Sequence, residues 1–165
     1  MEIGEKTMEN NSDNGRYDSV EVAKYIAAYW NGAGSDINMT KLQKLLYIAY
    51  GSWLAVIGNR LCNEQPQAWP YGPVFPTTRN KLSKVDLNKI SVVDKELKNI
   101  SNDIIFNNLL KIMFKSFGKW SASKLTEWSH KDDSPWYFTT QSPDFKWGRA
   151  IEDAIIQDYF NNILE

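Results

Sequence analysis

A chain of 165 residues suffices for one domain, and folding at that size hides about 70 % of the surface an unfolded chain exposes, so a core forms without staples. Nineteen Lys and Arg against twenty Asp and Glu leave a net charge of −1, without the positive surplus by which a nucleic-acid binder displaces counterions. The single cysteine, Cys62, excludes an intramolecular disulfide and points to a reducing, cytoplasmic setting, and no apolar run reaches the ~18 residues of a membrane span.

Residues 1–16 carry Glu2, Glu5, Glu9, Asn10, Asn11, Asp13 and Asn14 and almost nothing apolar. They resemble neither a secretory signal nor a transit peptide and are expected to form a disordered polar tail ahead of a domain over 17–165. Asp18 with Glu21 is a capping pattern, after which Val22, Ile26 and Tyr29 share a helical face until Asn31, Gly32 and Gly34 break it. Thr40 and Gln43 have the spacing of a reciprocal capping box and open a second helix over Lys41 to Ile57. After Lys44 that helix is apolar or aromatic nearly all round, as expected of one enclosed by others, and Gly58 and Asn59 end it.

Arg60 to Pro76 holds four of the six prolines (Pro66, Pro70, Pro73, Pro76), which rules out a long helix and predicts an extended loop. Pro76 suits the first turn of a short helix through Thr78, Leu82 and Ser83. Val85 to Asn99 has no clear period, and Val92 with Val93 is the place for a minor short strand. Ser101 is expected to cap a helix whose broad apolar face holds Ile105, Leu109 and Ile112 beside Phe106, Leu110, Met113 and Phe117, with Gly118 closing it. Lys111, Lys115 and Lys119 make a solvated stripe on it. Ser121 caps a short helix with Leu125 and Trp128, His130 to Pro135 is turn chemistry, and a last helix runs from Trp147 to Leu164 with Ile151, Ile155 and Tyr159 or Phe160 inward. The expected fold is mainly α: a compact single-domain bundle of about six helices with a Pro-rich extended loop and a minor short β element.

One histidine, His130, excludes a His-rich metal site and separate acid and base imidazoles. A Cys62–His130 dyad, or His130 with Asp132 or Asp133 beside Ser129 or Ser134, remains as a hydrolytic arrangement, but none sits in a nucleophile elbow. The alternative is that His130 ends the short helix and Cys62 is a small buried apolar residue. Neither phosphate-cradling motif, G-x-x-x-x-G-K-[ST] or G-x-G-x-x-G, is present, and no cofactor is expected. The distinctive segment is Ala68 to Pro76, AWPYGPVFP. Trp69 and Tyr71 offer large area with few rotors, Gly72 allows positive φ, and the prolines stiffen the loop, a combination suited to anchoring another protein. The alternative is that both rings turn inward and close the bundle.

The run Met39-Thr40-Lys41-Leu42-Gln43-Lys44-Leu45-Leu46-Tyr47, then Ala68 to Val74, and then Ser121-Ala122 to Leu125 with Ser129-His130 and Ser134-Pro135-Trp136, resembles the Panacea family, which includes SocA-like antitoxins and GepA-like phage-associated proteins. The resemblance covers about residues 18 to 162. It implies a non-catalytic antitoxin domain that neutralises a cognate toxin protein, often one that attacks translation. The adaptor mode described in the family adds a ClpXP-type protease as a second partner. Carried over residue by residue, it implies a partner-binding set of Tyr71, Gly72, Pro73, Trp69, Lys41, Lys44, Tyr47, His130 and Trp136. The family varies most in its middle region, here Val85 to Asn99, which is then expected to set partner choice. A promoter-binding role is not expected, since many members carry a helix-turn-helix portion and this sequence has only the short tail. From another class, a small hydrolase using His130 is the alternative.

Overall fold

The computed structural model describes residues 15–163, so the expected tail lies outside the described residues apart from Gly15 and Arg16. Those two run beside Leu61 to Asn63: the Arg16 N–H donates to the Arg60 and Leu61 carbonyls, and the Arg16 guanidinium reaches Asp103 at 3.4 Å. The described residues form α1 (Ser19–Gly32), α2 (Met39–Ile57), a hairpin of β1 (Gln67–Trp69) and β2 (Gly72–Val74), α3 (Pro76–Leu82), two 3-10 turns (Leu87–Lys89 and Lys95–Leu97), α4 (Lys98–Ser101), α5 (Ile104–Phe117), α6 (Ala122–Ser129), α7 (Pro135–Thr140) and α8 (Asp153–Ile163). The fold is mainly α with one small antiparallel sheet, and it has more helices than the six expected because α4 and α7 are short. None of these helices is long and apolar enough to cross a membrane.

Helix α2 is the axis of the domain. Every residue from Lys41 to Leu54 is buried, because α1, α5, α6, α8 and β2 pack around it. Gly51 lies where α8 comes closest; a Cβ there would run into the Phe160 ring. Gly58 ends α2 in the left-handed region at φ 88° and returns its N–H to Leu54, so the expected terminator holds. The start differs from expectation. The N-cap is Asn38, whose side-chain oxygen accepts the Lys41 N–H at 2.8 Å, and Thr40 is already inside the helix.

Three other boundaries move for similar local reasons. Asp103, not Ser101, caps α5 by accepting the Phe106 N–H, while Ser101 belongs to α4. Only Phe106, Leu110 and Met113 of α5 are buried; Ile104, Ile105 and Ile112 face outward. Helix α8 begins at Asp153, six residues after Trp147, because Gly148 adopts φ 95° and residues 148–151 run as an extended edge along β1. There Ala68 donates to the Arg149 carbonyl and Gly148 to the Ala68 carbonyl. Asp153 then accepts from Tyr50, Arg60 and Gln65, fixing the start of α8 to α2 and the proline loop. The short β element is this hairpin, whereas Val92 and Val93 form a turn.

Helix α3 opens with Pro76 as expected, but its cap comes from far along the surface. Phe75 offers no capping side chain, and the Glu64 carboxylate takes the Thr77 and Thr78 N–H groups, the Thr78 hydroxyl and the Ser19 hydroxyl. A negative charge at a helix N-terminus also meets the positive end of the helix dipole.

Candidate protein-docking face

The hairpin turns through Pro70 and Tyr71, with Trp69 opposite Gly72 and Ala68 opposite Pro73. Pro70 fixes its own φ, and Gly72 accepts φ 109°, a conformation that other residues rarely adopt. A side chain at Gly72 would collide as well: a Cβ would lie 2.7 Å from Ser129 Oγ and 2.8 Å from Lys44 Cε. The hairpin therefore lies flat on α2 and α6, leaving Tyr71 at its tip with 71 % of its surface exposed.

Two side chains of α2 hold the hairpin from beneath. Gln43 is not occupied by a capping box. Its Oε1 accepts the Phe75 N–H at 2.7 Å and its Nε2 faces the Phe75 carbonyl at 3.5 Å, beside the Arg79 N–H that the same carbonyl accepts at 2.9 Å, so one buried amide pairs the N–H of the residue that follows β2. Lys44, 1 % exposed, donates to the Pro73 carbonyl at 3.4 Å, and no carboxylate pairs with it among the described residues. Burial lowers its pKa to about 8.

The implied site residues thus fall into two sets. Lys41, Lys44, Tyr47, Gly72 and Pro73 lie in the interior. Lys41 donates to the Gly118 carbonyl at 3.3 Å, and the Tyr47 ring packs edge-on against Phe160 with its hydroxyl buried and without a partner among the described residues. Trp69, Tyr71, His130 and Trp136 reach the surface. Trp69 is half-buried: its Nε1 donates to Gln67, its ring lies 5.7 Å from the Arg79 guanidinium, and its carbonyl accepts the Trp136 Nε1–H at 2.7 Å. That last bond joins the hairpin to α7.

Helix α7 was hidden in the sequence behind turn residues. Ser134 accepts the Tyr137 N–H and Pro135 occupies the first turn, the same opening that Pro76 gives α3, and this signal could have found it. One side of α7 builds a stack of rings. His130 lies 4.0 Å from Trp136 at 21°, Trp136 lies 6.2 Å from Trp147 at 30°, and Phe145 meets Trp147 edge-on. With Tyr137 and Thr140 they line an open cleft of about 510 Å³. Trp147 and Phe145 carry no motif of their own in the sequence, and Trp147, expected to open the last helix, lies six residues before it.

The same geometry bears on hydrolysis. His130 forms the C-cap of α6, its imidazole is packed on Trp136, and its Nε2 is buried with no hydrogen-bond partner among the described residues. Burial and then the nearby Lys44 charge lower its pKa. The Ser129 hydroxyl is committed to the Thr126 carbonyl at 2.8 Å, and burial pushes the Cys62 thiol up to about 12. Neither Ser129 nor Cys62 is thereby activated as a nucleophile by this histidine.

Residues 42–137, which contain the hairpin, its two supports and the His130–Trp136 stack, match the family model described as "Antitoxin SocA-like, Panacea domain". The chain belongs to the Panacea family. It is also similar to Antitoxin SocA of Caulobacter vibrioides (strain NA1000 / CB15N), at 28 % identity over 137 residues that cover 75 % of this chain and 72 % of that protein. No solved structure matches. The matched Panacea region ends at Tyr137, so the cleft's far wall, Phe145 and Trp147, lies beyond it.

Proposed function

We propose that this chain is a cytoplasmic antitoxin that neutralises a cognate toxin by direct binding, with the hairpin tip and the adjoining ring stack as the contact surface. One observation carries the reading: within a family named for an antitoxin, a rigid hairpin pinned by Gln43 and Lys44 holds a largely bare Tyr71 out to solvent, and the same hairpin is bonded to the half-buried Trp136 of the ring stack. A large aromatic side chain preorganised in this way loses little entropy on docking, the property of a binding hot spot. In this reading Tyr71, Trp69, His130 and Trp136 meet the partner, while Lys41, Lys44, Tyr47, Gly72 and Pro73 set the height and angle of the hairpin. The role asks for occupancy and needs no catalysis.

The test is co-expression with the small reading frames that neighbour this one. A frame lethal alone and tolerated together with this chain, and whose purified product binds it, supports the reading. The absence of any such frame, or turnover of a small molecule by the purified chain alone, overturns it.

A further inference from the structure

The other side of α7 forms a second groove. Its floor is Phe138 from α7 with Ile155, Tyr159 and Ile163 from α8, and it encloses about 490 Å³. Phe138 is 66 % and Ile163 46 % exposed, more apolar surface than a lone side chain leaves bare by chance of packing. The α8 residues that line it run from Ala154 to Ile163, nine steps along the helix, or roughly 13 Å at 1.5 Å per residue. A docked helix would lie along it for two to three turns.

The charge on its walls has one sign. Asp133 stands at one end before α7, and Asp158 projects from the middle of α8. Both are exposed, neither has a cationic partner among the described residues, and α7 and α8 contain no Lys or Arg. Burial, and after it the Asp133 carboxylate, push the Tyr159 phenol up, which places that carboxylate close to the groove floor. An apolar trough walled by uncompensated carboxylates is complementary to a helix with an apolar stripe flanked by Lys or Arg.

We infer that the groove between α7 and α8 docks a cationic amphipathic helix of a protein partner. Resting on the antitoxin reading, that helix belongs to the toxin, and α7 is a ridge that the toxin straddles, with the ring cleft on one side and the acidic groove on the other. Ring contacts fix position, and the groove selects for charge.

The test uses a fluorescently labelled, designed 18-residue peptide with Leu at helical spacing and Lys elsewhere, and a counterpart with Glu in place of Lys. Anisotropy titrations compare the wild-type chain with Asp158→Lys, Phe138→Ala and, as a control in a separate apolar groove between α2 and α5, Ile112→Ala. The changed side chains are exposed, and thermal melts confirm folding. The Lys peptide should bind wild type roughly tenfold more tightly than the Glu peptide, lose roughly tenfold to Asp158→Lys and a comparable amount to Phe138→Ala, and be indifferent to Ile112→Ala. Equal binding of the two peptides, or Lys-peptide affinity unchanged by both groove variants, overturns the inference. In cells with a neutralised neighbouring toxin, protection lost in Tyr71→Ala but kept in Asp158→Lys and Phe138→Ala overturns the groove while the antitoxin reading stands. Should no neighbouring frame be toxic, that reading falls and the peptide titrations still decide the groove.

Discussion

The underside of the hairpin and the outside of α7 are built on opposite terms. Beneath the hairpin, polar groups are buried and paired: the Gln43 amide on Phe75 and the Lys44 amine on the Pro73 carbonyl, under a Gly72 with no room for a side chain between Ser129 and Lys44. Outside α7, apolar groups are bare and charges lack partners: Phe138, Trp147, Tyr71 at the neighbouring tip, Asp133 and Asp158. A buried polar group left unpaired is expensive, so the first region is committed to holding the hairpin in one place. Exposed rings cost the free protein little and become valuable only when a partner covers them, so the second is available for recognition. The lesson is that the hairpin motif sets the exposed Tyr71 beside the buried Gly72 and Pro73, and only burial tells them apart.

Substitutions should separate the two regions. The largest effect is expected for Gln43→Leu, which strips the buried Phe75 N–H of its partner while the Phe75 carbonyl keeps the Arg79 N–H: a loss of about 3 kcal/mol in urea unfolding, with the hairpin no longer pinned. A loss under about 1 kcal/mol would show that water or a backbone shift replaces the amide.

Next is Lys44→Met, which should stabilise. In the folded chain Lys44 gives up its proton near pH 8, whereas the unfolded chain keeps it to the ordinary value of 10.5. Between those values the unfolded state binds more protons, so stability rises with pH across the window; below it the cost of the buried charge is present in full. Two and a half units correspond to about 3 kcal/mol at pH 7. The Met variant should be more stable by that order at pH 7 and lose the rise between pH 8 and 10.5, as read from denaturant midpoints at several pH values. His130 acts in the same direction lower down: its folded pKa lies below 6.5, so stability falls as pH drops through the 6.5 region, and part of that fall should vanish with the Lys44 charge.

Tyr71→Ala sharpens the contrast from the other side. Its stability should stay within about 0.5 kcal/mol of wild type while toxin binding weakens by about 2 kcal/mol, measured by calorimetry. A folded variant with unchanged affinity would remove Tyr71 from the contact surface. The smallest effect is expected for Trp136→Phe, which keeps a ring on His130 but loses the hydrogen bond to the Trp69 carbonyl, for about 1 kcal/mol of stability.

How far the fold was legible follows the range of the interactions involved. Helix α2 could be read because burial on all sides leaves an apolar composition on all sides, and Gly58 and Pro76 could be read because their conformational limits are local. Gln43 could not. A T-x-x-Q spacing is the same whether the amide turns back to its own helix or reaches Phe75, 32 residues away. The cap on α3 comes from Glu64, 13 and 14 residues before Thr77 and Thr78, and leaves no local pattern at Phe75. The hairpin looks like a loop in the sequence because its three-residue strands are too short for alternation to show, and the 148–151 edge that bonds to β1 lies about 80 residues away. At the candidate face, the aromatic loop and His130–Trp136 were visible as motifs, but the division between interior supports and exposed rings required the packing.

The ring stack also makes the molecule its own reporter. Indole emission responds to the polarity of its surroundings and is quenched by a neighbouring charged imidazole, and Trp136 and Trp147 stand at the cleft with His130 against the first of them. A toxin that covers the cleft must change the light those two residues give, so association can be followed in real time without a label, with Trp147→Phe isolating the outer indole's share of the signal.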